Sequence, residues 1–158
     1  MTPAAITIAK ADPRTAQATG LLQASHLLMQ SMFPPETNHY LSIDALCAPH
    51  IHFVTATKRD LAETMTLGCG ALAAMEGYGE IKSMFVAPEA RGMGVGEAIL
   101  RALEDHARSL GLPVLRLETG DTLHAAHRLY ERLGFSYRGP FGAYEDGPHS
   151  VFMGKKLT

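Results

Sequence analysis

Apolar and polar positions along the chain fall into short alternating runs separated by two strongly helix-periodic runs and one weaker one. Ala5 to Ala9, AITIA, is short and β-branched and predicts a strand. The run DPRTAQATGLLQASHLLMQSMF repeats Leu22, His26, Met29 and Phe33 at helical spacing, with Asp12 able to cap and Pro13 suited to the first helical position. FPPETNHY breaks that helix, because two prolines cannot continue it. LSIDAL predicts a second short helix. HIHFVTATK alternates and predicts a strand, TMTLGCGALAAM its hairpin partner, and KRDLAE the polar turn between them. GEIKSMFVAP is a further strand, stopped by Pro88. VGEAILRALEDHARSLG places Ile99, Leu100, Leu103, His106, Ala107 and Leu110 on one helical side, with Gly111 set for the C-terminal cap. PVLRLET predicts a strand, HAAHRLYERLG a helix ending in glycine, and FSYRG and SVFMGKKL two closing strands.

The predicted order is β-α-(α)-β-β-β-α-β-α-β-β. An early antiparallel meander is followed by a β-α-β crossover, which forces its two strands to run parallel with a right-handed connection. No repeat, low-complexity tract or linker interrupts the chain, so residues 1–158 are expected to form one domain. With 46% hydrophobic residues, a chain of this length should remove roughly 70% of its unfolded surface from water.

The formal net charge is −2, without the basic excess that announces a nucleic-acid binder. The first residues lack a basic segment followed by a long apolar stretch, and no apolar run is long enough to span a bilayer. These features predict a cytoplasmic protein with neither nucleic acid nor membrane as partner. Cys47 and Cys69 have no CxxC partner, and Cys69 sits in the apolar run LGCGAL as a small hydrophobe. His50 and His52 share a strand face but lack a third ligand, so no metal site is expected.

The stretch EARGMGVGEAIL, Glu89 to Leu100, joins a predicted strand to a predicted helix. A helix N-terminus carries unpaired N–H groups and positive partial charge, and glycines let a ligand approach the backbone. Three alternating glycines after Arg91 suit a diphosphate better than a plain tight turn, which needs only one. A Walker A loop would end in Gly-Lys-Ser/Thr, whereas this one ends Gly96-Glu97-Ala98. A dinucleotide fingerprint fits the strand–loop–helix–strand order, with Glu118 near the place of a ribose-binding acid. The spacing is nonetheless GxGxG, with Glu97 where the third glycine belongs, and too little chain remains for a doubly wound sheet.

VAPEARGMGVGEAIL resembles the acetyl-CoA-binding motif of the GNAT N-acetyltransferase superfamily, Arg/Gln-x-x-Gly-x-Gly/Ala, with Arg91, Gly94 and Gly96 in its defining places. LYERLGF, Leu129 to Phe135, resembles the family's second hallmark at the right distance downstream. GCGAL, GEIKSMFV, LETG and SVFMGKKL further resemble a bacterial branch labelled YsnE-like. The resemblance covers nearly the whole chain. It implies a single-domain α/β fold: a mixed, mostly antiparallel sheet of six to seven strands, a central parallel splayed pair and about four helices. It also implies an enzyme that moves acetyl from acetyl-CoA to a primary amine of a small molecule or peptide by direct transfer, with no metal. A homodimer is the family expectation. The competing reading is a non-catalytic acyl-CoA-binding module.

By the same resemblance, Arg91, Gly92, Met93, Gly94, Val95 and Gly96 would hold the pyrophosphate. Met84, Phe85 and Val86 would offer backbone to the pantetheine arm, with the Met84 N–H toward the thioester oxygen. Tyr130 takes the place of the general acid, since a phenol and a thiol have nearly matched acidities. Glu80 is the candidate base, and positions 80, 82, 84 and 86 should share one strand face. His39, His124, His127 and Glu118 are alternative bases. Glu36, His39 and Tyr144, with Glu145 and Asp146, lie in the loops expected to meet the acceptor. Leu123 stands where many members carry an Asn or Gln that touches the pantetheine.

Overall fold

The computed structural model describes residues 5–60 and 63–157. Its seven strands are β1 (Ile6–Lys10), β2 (Ile51–Asp60), β3 (Glu63–Met75), β4 (Tyr78–Val86), β5 (Val114–Gly120), β6 (Ser136–Arg138) and β7 (Ser150–Lys156). They form one sheet in the order β1-β2-β3-β4-β5-β7-β6. Every neighbouring pair is antiparallel except β4–β5. Three α-helices accompany the sheet: α1 (Ala16–Met32), α2 (Val95–Ser109) and α3 (His124–Arg132).

The expectation of about four helices is corrected to three. LSIDAL yields only a single 3-10 turn over Ala45–Cys47, and two further 3-10 turns lie at Pro35–Thr37 and Pro88–Ala90. So short a run cannot recover the cost of helix nucleation. The start of α1 also moves. Thr15, not Asp12, is its cap and accepts the Ala18 N–H at 3.3 Å. Asp12 instead accepts the Arg14 N–H at 2.8 Å in the turn before the helix. The centre of the β2–β3 turn, Leu61 and Ala62, lies outside the described residues.

Helices cover both faces of the sheet. Neighbours on one strand point to opposite sides, so Phe53 and Val54 enter different apolar clusters. One cluster joins Val54, Leu72, Ile81, Leu115 and Leu117 to Ile99, Leu100 and Leu103 of α2 and to Tyr130 of α3. The other joins Phe53, Cys69, Ala71 and Phe85 to Ala18 and Leu22 of α1. Leu110, expected on the buried side of α2, lies just beyond its end and is exposed. Gly111 and Gly134 follow α2 and α3 with φ of +72° and +96°, the left-handed conformation that stops a helix.

β4 changes phase in its middle. Cys69 pairs with Phe85 and Ala71 with Lys82, so Ser83 and Met84 together stand opposite Gly70 in a β-bulge. Ser83 is the only described non-glycine residue with positive φ, at 55°. The extra residue overturns the expectation that 80, 82, 84 and 86 share a face. Met84 and Val86 pack with Ile81 against the α2 side, while Phe85 packs on the α1 side. Gly70 makes room for this, since a Cβ there would lie 2.7 Å from both Ile99 Cγ2 and Met84 Sδ. Gly70→Ala should therefore overpack the bulge and destabilise the fold by about 1–3 kcal/mol. Equilibrium urea unfolding of the variant against the parent chain measures this.

Candidate active site

The parallel ladder between β4 and β5 is short. Gly79, Glu80 and Ile81 pair with Leu115, Arg116 and Leu117, and no pairing continues beyond them. The strands that the sequence suggested would splay are thus joined at one end and parted at the other. Where they part, a cleft opens, lined by Lys82, Ser83 and Met84 from β4, Glu118 to Gly120 from β5, Leu123 just before α3 and Tyr130 from α3. Its far wall includes Met29, Phe33, His39 and His149. The bulge removes Ser83 and Met84 from register with β3, and the parting removes them from β5. Ser83 Oγ is buried with no protein partner at the cleft wall.

Below the bulge, the Cys69 thiol donates to the Ser83 carbonyl at 3.4 Å. Burial pushes this thiol up to about 12. At the cleft wall, Tyr130 is only 6% exposed, and burial raises its phenol well above the ordinary value. A buried phenol keeps its proton, because desolvation disfavours the phenolate.

Glu80 and Glu118 occupy neighbouring strands but different surroundings. Glu80 is buried, and its Oε2 accepts both the Tyr144 hydroxyl at 2.5 Å and the Lys82 ammonium at 3.2 Å. Lys82 Nζ also donates to the Tyr144 oxygen at 2.7 Å and to the His39 carbonyl at 3.2 Å. Glu118 accepts from Ser150 Oγ at 2.9 Å. Its acidity is weakened mainly by burial, against the opposing pull of Ser150, His39 and Lys82.

A second hollow lies beside Glu80. It is lined by Glu36, His39, Tyr78, Tyr144, Glu145 and Asp146, among others, and shares Thr37, His39 and Tyr40 with the cleft. The structure thus brings Glu36, His39 and Tyr144 together with Glu80. His39 and Tyr144 also meet edge to face, ring centres 5.3 Å apart. His127, an alternative base, is buried and bonded through Nε2 to the Gly120 carbonyl at 2.8 Å, and His124 is exposed. Among the described residues no cluster of three or more His, Cys, Asp or Glu could hold a metal.

The glycine loop runs between the end of β4 and the start of α2 and is not part of the cleft lining. Gly92 and Gly94 have φ of +83° and +79°, and a Cβ on either would meet open space. Gly96 serves differently. Its missing Cβ lets Leu129 of α3 approach, with Cδ2 3.0 Å from where that atom would be. Arg91 and Met93 are exposed, while Val95 is buried as the first residue of α2. Glu97 is turned onto Arg101 and Arg132, whose Nε atoms lie 3.6 and 3.7 Å away. Its charge is therefore countered rather than aimed into the loop.

Sequence reading missed the part played by Lys82, Ser83 and Ser150. A strand with one acid and one lysine two positions apart reads as a solvated edge, and the bulge has no signature of its own. The available signal was that Glu80 and Lys82 stand on one face of a strand otherwise apolar on both.

The cleft is thus an open parallel pair in a mixed sheet, with a glycine loop at the next helix and a half-buried acid and a buried phenol in the gap. The acetyltransferase (GNAT) family profile matches residues 21–135. The IAA acetyltransferase of Azospirillum brasilense is 40% identical over 154 residues, covering 96% of this chain and 98% of that one. The uncharacterized N-acetyltransferase YsnE of Bacillus subtilis is 38% identical over 152 residues, covering 94% and 98%. A Klebsiella pneumoniae chain assigned as an acyl-CoA N-acyltransferase superposes with a TM-score of 0.78 at 34% identity, covering 97% and 98%. The chain belongs to the acetyltransferase (GNAT) family, and it is an acyltransferase.

The environment of the two thiols separates their chemistry. Half-buried Cys47 should react with a thiol reagent at neutral pH, whereas Cys69, protonated and buried, should react only on unfolding. Counting modified thiols before and after adding denaturant tests the assignment.

Proposed function

We propose that the protein transfers an acetyl group from acetyl-CoA directly to a primary amine bound in the same complex. The observation that carries the reading is the coincidence of bulge and parting. It presents backbone at Ser83 and Met84, and an unpartnered Ser83 hydroxyl, to a cleft also faced by Tyr130 and Glu118. The residues present fit the co-substrate. Gly92 and Gly94 leave open space over a helix N-terminus, and Arg91 is free to bend over a diphosphate. Met84, Phe85 and Val86 would flank the pantetheine arm through their backbone, since the side chain of Phe85 is buried in the α1-side cluster.

Acetyl-CoA, when bound, supplies the acetyl group as a thioester and leaves as a thiol. The protein's share is proton management and polarisation. The Met84 N–H and the Ser83 hydroxyl would meet developing negative charge on a carbonyl oxygen. Tyr130, kept protonated by burial, holds the proton for the departing sulfur. Glu118 is the better-placed base. Glu80, first suggested for that role by the sequence, has one oxygen engaged by both Lys82 and Tyr144. Glu118 has a single side-chain donor, and burial raises its affinity for a proton. Glu36, Glu80, Tyr144 and His39 then border the acceptor hollow.

Titration calorimetry with acetyl-CoA is the first test. The parent chain should bind, Arg91→Ala should bind about tenfold or more weakly, and Gly94→Asp should not bind. Thiol release should then be followed with putrescine, tyramine, L-lysine and an alanyl peptide as acceptors. Tyr130→Phe and Glu118→Gln should each lower turnover about a hundredfold or more. Activity should fall on the acid side as Glu118 takes up a proton, at a pH above the ordinary carboxylate range because burial favours its neutral form. Binding without turnover on any acceptor would point instead to an acyl-CoA-binding module.

A further inference from the structure

Lys82 is an unusual residue for a central strand. Its side chain is 12% exposed and its ammonium donates to three groups. Glu80 precedes it on β4, Tyr144 comes from the loop before β7, and the His39 carbonyl from the segment after α1; Glu118, on β5, is near enough to feel its charge. Neither loop is held to the sheet here by regular secondary structure. The ammonium donates to both. Lys82 is thus at the boundary between the cleft and the acceptor hollow, and it is the last residue of β4 in register with β3 before the bulge.

We propose that Lys82 is the positioning residue of the acceptor side: it fastens the His39 segment and Tyr144 across the gap between β4 and β5. Its ammonium is also one of the charges that favour the ionised form of Glu118. The inference rests on the acetyl-transfer reading given above. It assigns Lys82 no contact with reacting atoms. The seating follows from the three hydrogen bonds, which a neutral side chain of similar length cannot make. The electrostatic part follows from the surroundings of Glu118. Ser150, His39 and Lys82 favour its charged form, Glu80 opposes it, and Arg116 lies two residues back on the same strand. Tyr144, Tyr130, Tyr40 and His149, with Tyr78, Glu36, Glu145 and Asp146 around the hollow, complete the titratable groups lining the two. Removing the lysine charge leaves Glu80 uncountered beside Glu118. Glu118 then binds its proton more tightly, and the acid limb of the activity profile moves to higher pH.

The test compares Lys82→Met, Lys82→Arg and Tyr144→Phe with the parent chain. Hydrogen–deuterium exchange requires no acceptor. In Lys82→Met, amides of residues 36–40 and 142–146 should exchange about tenfold faster, with those of α2 unchanged. Kinetics then use the most active of the four amines above. Lys82→Met should raise the acceptor KM about tenfold or more, leave the acetyl-CoA KM within about twofold, and shift the acid limb upward. Lys82→Arg should restore the limb, because it restores the charge. Tyr144→Phe should raise the acceptor KM without moving the limb upward.

Unchanged exchange in both loops, or equal losses toward both substrates with an unmoved limb, would overturn the proposal. Should Lys82→Met fail to fold, Lys82→Arg and Tyr144→Phe still decide. A limb that moves upward in Lys82→Arg, or an acceptor KM unchanged in Tyr144→Phe, overturns it as well. Absence of turnover in the parent chain strikes at the acetyl-transfer reading itself, and the exchange result then judges the seating alone.

Discussion

The site depends on one inserted residue in one strand. Without the bulge at Ser83–Met84, β4 would keep its alternation, and Met84 would point to the same side as Glu80 and Lys82. With it, the first half of β4 gives its charged residues to the α1 side of the sheet and the second half gives Met84 and Val86 to the α2 side. A strand cannot present a charged face and then a buried apolar residue at the same periodic position unless its phase is reset. Resetting it costs a left-handed serine, of order 1–3 kcal/mol. That conformation persists because Gly70 opposite has no Cβ and because the Cys69 thiol holds the Ser83 carbonyl. Strain of this kind is tolerated where the surrounding packing over-determines it, which here means the α2 cluster on one side and Phe85 on the other.

The parting of β4 from β5 works with the bulge. Either feature alone would leave the backbone at residues 83 and 84 paired on one side. Together they take it out of ladder register on both sides, in a place walled by α3 and by the segment after α1. The parallel pair stays joined over Gly79–Ile81, so the gap has a rigid root. Gly79 makes the root tight, because a Cβ there would lie 2.8 Å from Leu72 and 3.1 Å from Leu115. Beyond the root, Phe33 fills the space over Gly120, whose missing Cβ would fall 2.3 Å from the Phe33 ring. The cleft is thus bounded by close packing at both ends of β5.

Much of this architecture was legible in the sequence. The β-branched run HIHFVTATK, buried on both faces, and the helical spacing of Ile99, Leu100 and Leu103, buried on one, identify β2 and α2 from pattern alone. The glycine loop was legible because positive φ and open space leave few residue choices. What stayed hidden is of another kind. A bulge is a local compromise between two strands and a glycine on the neighbour, and neither partner announces it. Gly70 reads as one more small residue in LGCGALAAM, and Ser83 as an ordinary polar position. The third glycine, Gly96, was read with Gly92 and Gly94 as part of one loop, and its lack of a Cβ also admits Leu129. The pairing that divides the two carboxylates was equally hidden, since Lys82 and Tyr144 are 62 residues apart.

That division explains how two acids can stand on neighbouring strands in different surroundings. Burying a carboxylate is unfavourable unless it is paired or takes a proton, and each of these acids follows one route. Glu80 is paired, with a cation and a hydroxyl on one oxygen. Glu118 is left with one hydroxyl donor and a weakened acidity. A hydroxyl bond favours the carboxylate less than a full cation does, so burial is left to raise the proton affinity of Glu118. The asymmetry does not come from the acids, which differ little in solution. It comes from which of them received the lysine, and that is decided by the register of β4 just before its phase is reset.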